Sequence, residues 1–228
     1  IQNPKSKITP LPAALWSPVR CALEDGLVDR DGVLSFAHEH LRTAVERRYV
    51  SDQDSQDEYR LRLADEFENQ PVSARNCDEL PWLLWQTESC VRLRACLLDI
   101  DRFLLMRDRD DNELLGYWVW LKEERAMGQP YVLAFEKWAG GMGETTAVSY
   151  AANQLATFLS YRAALHTEAE PLYRRALLID EKSYGVNHLE VAIRLNNLAA
   201  LLMTTNRLAE GEPLMRRALK IIEHGYGE

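Results

Sequence analysis

The amino-acid sequence predicts an all-α chain that has a small β-hairpin in its N-terminal part and ends in an α-α superhelix of stacked helical hairpins. The C-terminal third repeats itself at a period of about 42 residues, which is typical of stacked hairpins. Ahead of the repeats, apolar residues recur three and four positions apart, as they do on one face of a helix. A DRDG sequence between two short apolar runs, Leu27 with Val28 and residues 33–36, indicates the β-hairpin.

Composition restricts the classes of function. The chain has 228 residues, with 27 Lys and Arg against 35 Asp and Glu, and its formal net charge of −8 argues against a general nucleic-acid binder. Hydrophobic residues make up 46% of the chain, and no apolar run approaches the roughly 20 residues that span a membrane. We therefore expect a cytoplasmic protein that makes no membrane contact. Because the first residue is Ile1 rather than Met, we also expect a fragment of a longer protein.

The cysteines and histidines indicate no metal site. The four cysteines form no CxxC pair, and no HExxH motif occurs among the five histidines. The cysteines are therefore predicted to be reduced and mostly buried: Cys21, Cys77, Cys90 and Cys96.

The internal repeat consists of two clear copies. Residues 170–185, EPLYRRALLIDEKSYG, align with residues 212–227, EPLMRRALKIIEHGYG, at an offset of 42. Residues 153–159, NQLATFL, align with residues 196–202, NNLAALL, at an offset of 43. Each copy therefore contains two helices, and a third, degenerate copy is expected in residues 113–138.

Single residues within the repeats predict how the helices begin and pack. Ala199 and Gly211 are small enough for two helix axes to approach closely. Pro171 and Pro213 are predicted in the first turn of a helix, where the missing N–H costs little. Asn187, in the connection between the repeats, is predicted to cap the helix that follows.

These motifs resemble the tetratricopeptide repeat, in the long version found in kinesin light chains and nephrocystin-like proteins. The resemblance rests on NNLAALL, a polar turn, and AEGEPLMRRALKIIE followed by GYG. It implies that a protein or peptide partner binds on the concave face, which the first helix of each pair lines. Asparagines suit a peptide backbone, because each carboxamide both donates and accepts hydrogen bonds. A scaffold surface that binds no peptide is the alternative. The partner-binding residues that we predict on this basis are Asn153, Thr157, Arg194, Asn196 and Ala200.

Residues 1–72 have the outline of a winged helix. A short helix around residues 15–23 precedes the hairpin, and a second helix over residues 38–49 follows it. Winged helices often bind DNA, but acidic residues that include Asp29 and Asp31 make this one a poor partner for phosphates. We therefore disfavour a DNA-binding regulator.

The same segment resembles the winged-helix subdomain of signalling ATPases of the NACHT and NB-ARC type, which form the STAND class. The matching residues are Phe36, Ala37, His38 and Glu39, in the place of a Met-His-Asp-like motif. The resemblance implies that His38 contacts the β-phosphate of ADP when an ATPase core is joined to this chain. The alternative is a histidine that caps or packs at the start of a helix.

Residues 73–145 are predicted to form a helical connector. Their beginning resembles the segment after the winged helix in nephrocystin-like ATPases, through an arginine, the tripeptide ELP and an aromatic residue: Arg75, Glu79, Leu80, Pro81 and Trp82. Five tryptophans are predicted to pack in the core between helices: Trp82, Trp85, Trp118, Trp120 and Trp138.

The connector ends in AGGMGETT, residues 139–146, which resembles a phosphate-binding loop. Such a loop needs a lysine that reaches the phosphates, and Glu144 stands in that place. The sequence therefore predicts a connection between two helices, with Thr145 or Thr146 as the cap of the second helix.

The predicted function is protein–protein interaction and sensing within a larger NTPase, carried by two repeats in residues 146–228. We predict that this chain is not an enzyme, because it has no nucleophile elbow and no glycine-rich oxyanion turn. We expect no cofactor in this chain; ADP or ATP would bind the ATPase core of the larger protein. The alternative is a stand-alone tetratricopeptide scaffold that assembles with itself or with other repeat proteins.

Overall fold

The computed structural model describes residues 26–30, 33–49 and 52–226, and the chain divides into two compact units, Ile1–Asn69 and Gln70–Glu228. The described part of the chain is helical apart from two short strands. Its elements, in chain order, are β1 (Leu27–Arg30), β2 (Val33–Phe36), α1 (Glu39–Tyr49), α2 (Gln53–Glu68), α3 (Ala74–Gln86), α4 (Cys90–Leu97), α5 (Ile100–Leu121), α6 (Gly128–Gly140), α7 (Thr146–Thr157), a π-helical turn (Phe158–Arg162), α8 (His166–Tyr184), α9 (Leu189–Thr204) and α10 (Leu208–Tyr226).

The first unit contains β1, β2, α1 and α2 among its described residues. The two strands pair antiparallel, with Leu27 opposite Phe36. Asp52 begins α2, because its carboxylate accepts a hydrogen bond from the backbone N–H of Ser55 at 2.8 Å. The predicted helix around residues 15–23 and part of the DRDG turn lie outside the described residues, so the winged helix stays a prediction.

An aromatic core holds α5, α6 and the π-helical turn of the second unit together. Trp118 is fully buried and donates a hydrogen bond from Nε1 to the hydroxyl of Tyr131 at 3.1 Å. Phe103 packs edge-on against Tyr131 and Phe158, with ring centroids 5.3 and 5.5 Å apart. The predicted core position of Trp118 is confirmed, whereas Trp82 is 43% exposed and its predicted burial is wrong.

The repeats form two helical hairpins, α7 with α8 and α9 with α10. Thr145 caps α7, because its hydroxyl oxygen accepts a hydrogen bond from the N–H of Val148 at 3.4 Å. A Cβ atom on Gly211 would lie 3.1 Å from the carbonyl oxygen of Ala199, so α9 and α10 approach closely there. The predicted cap and the predicted close approach are both confirmed.

The π-helical turn after α7 explains why the two halves of the repeat have different offsets. Leu155 and Leu198, in the first helices, are 43 residues apart, whereas Pro171 and Pro213, in the second helices, are 42 apart. The first repeat therefore has one extra residue between its two helices. A π-helical turn accommodates one extra residue without ending the helix.

Two predictions about helix ends need correction. Pro171 and Pro213 lie in the second turn rather than the first, because α8 and α10 begin one turn earlier than expected. The cap of α9 is His188 instead of Asn187, and its Nδ1 accepts a hydrogen bond from the N–H of Glu190 at 3.2 Å. An imidazole nitrogen thus replaces the carboxamide oxygen that the sequence suggested.

Candidate functional site

The first helices of the two hairpins present matching faces. The residues concerned lie three, seven and ten positions apart, so they share one side of each helix. We call them the first-helix face: Tyr150, Asn153, Thr157 and Ser160 in the first hairpin, and Ile193, Asn196, Ala200 and Met203 in the second. The two sets are 43 residues apart, position by position.

Large apolar side chains dominate the exposed part of the first-helix face. Tyr150 is 42% exposed, Ile193 is 41% exposed and Met203 is 40% exposed. The sequence-based prediction misses Tyr150 and Ile193. The offset of 43 residues, which places Ile193 over Tyr150, is the signal that identifies them.

The two predicted asparagines differ in exposure. Asn196 is exposed, whereas Asn153 is only 6% exposed. The Oδ1 atom of Asn153 accepts a hydrogen bond from Nδ2 of Asn197 at 2.9 Å, which links α7 to α9. Asn153 therefore forms the floor of the first-helix face between the two helices. Asn197, which sequence reasoning misses, fixes the orientation of this carboxamide.

Thr157 is held by hydrogen bonds inside the first hairpin. Its hydroxyl donates to the backbone carbonyl of Asn153 at 2.7 Å and accepts from the hydroxyl of Tyr173 at 3.1 Å. Burial raises the pKa of Tyr173 to about 12, and the hydrogen bond to Thr157 acts against that rise. The phenol is therefore a protonated donor at neutral pH and holds the Thr157 side chain in place.

Arg194 lies below the first-helix face, and its predicted position there is corrected. The side chain is buried, with the residue 7% exposed. Its Nε donates to the carboxylate of Asp180 at 2.8 Å, and its Nη2 donates to Glu190 at 3.1 Å. One residue of helix turns a side chain by about 100° around the axis, so Arg194 points away from the side that Ile193 exposes. Arg194 therefore fixes α9 on α8.

The electrostatics of the first-helix face are close to neutral. The α7 helix carries no charged residue. The charged residues of α9 are Glu190 and Arg194, which bond to each other. The face thus offers amide, hydroxyl and apolar groups, and it suits a ligand whose contacting side chains are also uncharged.

His38 lies in the first unit, where its side chain is exposed and stacks on the ring of His40, with centroids 5.4 Å apart. Among the described residues, no group of His, Cys, Asp and Glu side chains is arranged to hold a metal ion. In the same part of the chain, no helix is both long enough and apolar enough to cross a membrane.

Comparison with known proteins identifies the repeats. Residues 147–224 match the tetratricopeptide repeat family. Nephrocystin-3 of Mus musculus is 31% identical over 187 residues, which cover 78% of this chain and 14% of that protein. Nephrocystin-3 of Homo sapiens is 31% identical over 180 residues, which cover 75% of this chain and 13% of that protein. The chain thus spans about a seventh of the length of these relatives, and the similarity extends beyond the tetratricopeptide repeats.

Proposed function

We propose that the tetratricopeptide repeats bind a segment of a protein partner on the first-helix face. The observation that carries this proposal is the pair of matching faces, each with exposed apolar side chains beside a carboxamide. Tyr150, Ile193 and Met203 are all at least 40% exposed, although they are apolar or largely apolar. Exposed apolar groups that recur in register are typical of an interaction surface.

The residues of the face have separable roles in this proposal. Asn196 is exposed and both donates to and accepts from a peptide backbone. Asn153 and Thr157 form a floor that the hydrogen bonds to Asn197 and Tyr173 hold in place. Ala200, at the next turn, is small and lets the backbone of the partner come close. Arg194 acts indirectly, by fixing α9 on α8.

A peptide-binding measurement tests the proposal. Twelve-residue peptides are selected from a random phage-displayed library on the whole chain, and the Kd of the tightest peptide is measured by fluorescence anisotropy. We expect Ile193→Asp to weaken this peptide at least tenfold, because the carboxylate must be desolvated against apolar groups. The matched control is Leu178→Asp on α8, where the native leucine is 57% exposed and lies outside the face. We expect the control to change the Kd less than twofold.

The comparison of the two variants decides the outcome. Wild-type affinity in Ile193→Asp would overturn the proposal that the first-helix face is the binding site. An equal loss in Ile193→Asp and Leu178→Asp would also overturn it, because the peptide would then respond to charge anywhere on the surface. Selection of no peptide at all would count against a peptide-binding function.

We further propose that this interaction segment works within a longer protein that contains an ATPase core. The proposal is supported by the resemblance at residues 36–39 and by the much greater length of the relatives. In such a protein His38 contacts bound ADP, and partner binding shifts the nucleotide switch. Isothermal titration of ADP into that longer protein tests this role. We expect His38→Ala to weaken ADP binding by about tenfold or more, the size of one charge-assisted hydrogen bond, and His40→Ala to leave it unchanged. Equal ADP affinity in wild type and His38→Ala would reject the role.

A second candidate function is a scaffold that assembles with another copy of the chain. The observation that favours it is a row of exposed apolar residues along α10: Leu208 at 54%, Met215 at 37%, Leu219 at 55% and Ile222 at 36% exposure. Sedimentation of the chain at increasing concentration tests this candidate. We expect a wild-type dimer that Leu219→Asp dissociates, and a wild-type monomer at all concentrations would reject self-assembly.

A further inference from the structure

Turns between helices recur at the 42-residue period of the repeats, and one of these turns, at Lys122, lies before the matched residues 147–224. Lys122, Ala164 and Asn206 all have positive φ, at 59°, 55° and 61°, and successive members are 42 residues apart. At two of these turns the backbone hydrogen bonds are also equivalent. The N–H groups of Lys122 and Asn206 each donate to the carbonyl three residues earlier, and the N–H of the following residue donates to the carbonyl five residues earlier. The turn at Lys122 therefore has the geometry of a repeat turn.

The helix after the Lys122 turn, α6, matches the second helices of the repeats. Buried small residues stand at Gly128, Ala169 and Gly211, and each is followed two positions later by a proline. Seven positions after the small residue, the side chain is again buried in all three helices, at Phe135, Ala176 and Ala218. The sequence similarity is low, but the small residue and the residue seven positions later are buried in all three helices.

Ion pairs join successive second helices in the same way. Arg175 on α8 donates to Glu136 on α6 at 2.7 Å. Its equivalent 42 residues later, Arg217 on α10, donates to Glu181 on α8 at 2.6 Å. In both cases an arginine of the later helix bonds a glutamate of the earlier one, although the two glutamates, 45 residues apart, do not occupy equivalent positions.

The helix before the Lys122 turn matches the first helices of the repeats. Asp110, with φ −160° and ψ 104°, breaks α5, so residues 111–121 form a separate helical segment. Within that segment Leu114 and Trp118 are fully buried. The equivalent residues are also buried: Leu155 in α7 with Leu159 in the π-helical turn, and Leu198 with Leu202 in α9.

From these equivalences we infer that residues 111–140 form a third hairpin of the array, and that its first helix extends the partner-binding surface. In this register Asn112 is the equivalent of Asn153 and Asn196, and Val119 is the equivalent of Ser160 and Met203. Asn112 is exposed, and Val119 is 52% exposed. One carboxamide thus stands at the same position in each of three successive first helices.

The occupant of this surface is an extended, uncharged segment of a protein partner. Packed helices lie about 8–10 Å apart, so three helices in a row span roughly 20 Å. An extended chain rises about 3.3 Å per residue, and a segment of about six residues reaches all three carboxamides. Neutral side chains suit the centre of this surface, because the central helix, α7, has no charged residue to pair with a charge. This inference rests on the proposed function of the first-helix face.

The peptide selected above tests the contribution of the third hairpin. We expect Asn112→Ala to weaken its binding about fivefold, through loss of a hydrogen bond. We expect Val119→Asp to weaken it about tenfold, through an unpaired charge against apolar groups. The matched control is Leu133→Asp. The native leucine is 62% exposed and lies on α6, the second helix of this hairpin, rather than on its first helix. The control should bind within twofold of wild type, and thermal unfolding curves should show that all three variants fold.

The result separates this inference from the proposed function. If Ile193→Asp abolishes binding while Asn112→Ala and Val119→Asp bind as wild type, the third hairpin is not part of the surface, although the repeats still bind the peptide. If Ile193→Asp has no effect, the proposed function fails and the inference fails with it. Weakening by Leu133→Asp to the same degree as Val119→Asp also overturns the inference.

Discussion

The second helices of the two repeats, α8 and α10, have similar sequences but different surroundings. Tyr173 on α8 is fully buried, whereas its equivalent on α10, Met215, is 37% exposed. Asp180 on α8 is 1% exposed, whereas its equivalent, Ile222, is 36% exposed. On α8, Tyr173 bonds Thr157 of α7 and Asp180 pairs with Arg194 of α9, so neighbouring helices cover both positions. The contacts of each helix, rather than the repeat sequence, thus decide the environment of its side chains.

The buried carboxylate of Asp180 depends on Arg194, its partner on α9. A buried carboxylate is stable only when it is paired and hydrogen-bonded, and Arg194 on α9 supplies both. Ile222 has an apolar side chain at the same position, so a helix docked on α10 would not need an arginine there. The same position in the repeat thus holds a buried, paired carboxylate on α8 and a partly exposed apolar side chain on α10.

Removal of the buried carboxylate is expected to have the largest effect. Asp180→Ala leaves the Arg194 guanidinium buried beside the half-exposed Glu190 alone, and we expect a loss of about 3 kcal/mol in the free energy of unfolding. The equivalent change on α10, Ile222→Ala, is expected to cost less than about 1 kcal/mol, because the site is partly exposed. Urea unfolding of both variants gives the two values.

A double variant sharpens this test. Asp180→Leu combined with Arg194→Leu removes both charges, and we expect it to recover most of the stability that Asp180→Ala loses. Similar losses in Asp180→Ala and Ile222→Ala would show that the two second helices have similar surroundings in solution, contrary to the comparison.

The two repeats also begin with different caps. His188 caps α9 through an imidazole nitrogen, whereas Thr145 caps α7 through a hydroxyl. We expect His188→Ala to cost about 1 kcal/mol in the free energy of unfolding, because the N–H of Glu190 loses its acceptor. His188→Asn, which supplies an oxygen acceptor, should restore wild-type stability. If His188→Asn is as unstable as His188→Ala, the stacking of His188 on Tyr184, rather than the cap, is what stabilises α9.

A smaller effect is expected from equivalent glutamates near the starts of α8 and α10. Burial raises the pKa of Glu170, but hydrogen bonds from Arg207 and Arg174 outweigh burial and hold the pKa below its ordinary value. Because the folded-state pKa is lowered, the stability contributed by this carboxylate is present above the unfolded-state pKa and is lost as the pH falls through the folded-state pKa. Glu170→Gln should therefore cost up to about 1 kcal/mol at neutral pH and nothing in strong acid.

Glu212, the equivalent of Glu170 on α10, is the matched control. It bonds Arg216 of the same helix in an exposed position. Glu212→Gln should change stability by no more than a few tenths of a kcal/mol at any pH, as exposed pairs within a helix do. Unfolding by urea at a series of pH values compares the two variants, and identical pH profiles would mean that Arg207 does not bridge the hairpins.

The sequence predicts most of the repeat architecture because that architecture depends on local periodicity. The apolar spacing of Leu198 and Leu202, the small residue at Gly211 and the cap at Thr145 can all be read from neighbouring positions. The burial of Arg194 cannot be predicted from neighbouring positions, because it depends on Asp180 in the preceding helix. A charged residue inside a helical pattern is ordinarily assigned to solvent, and only the docked structure shows its partner.

The predicted site residues lie on or beside the first helices of the two hairpins, and the prediction omits Tyr150 and Ile193. Asn153 and Asn196 occupy equivalent positions in the two repeats, but their exposures differ. A hydrogen bond from Asn197 holds Asn153 in the floor of the first-helix face. The spacing of apolar residues along the sequence does not predict hydrogen bonds between helices. The large apolar residues Tyr150 and Ile193 were open to prediction from the repeat offset alone, since equivalent positions in a stacked array share one face.

The smallest effect is expected where the two hairpins differ by one methyl group, at Ala169 on α8 and Gly211 on α10. Replacing a helical glycine by alanine gains about 1 kcal/mol in helix propensity. The new Cβ of Gly211→Ala, however, would lie 3.1 Å from the carbonyl oxygen of Ala199, so α9 and α10 must separate by a few tenths of an ångström. These opposing terms should leave the free energy of unfolding within about 0.5 kcal/mol of wild type, whereas Gly211→Leu should cost at least about 2 kcal/mol. A gain of a full 1 kcal/mol in Gly211→Ala would show that α9 and α10 separate at this point without cost, and that packing does not fix their close approach.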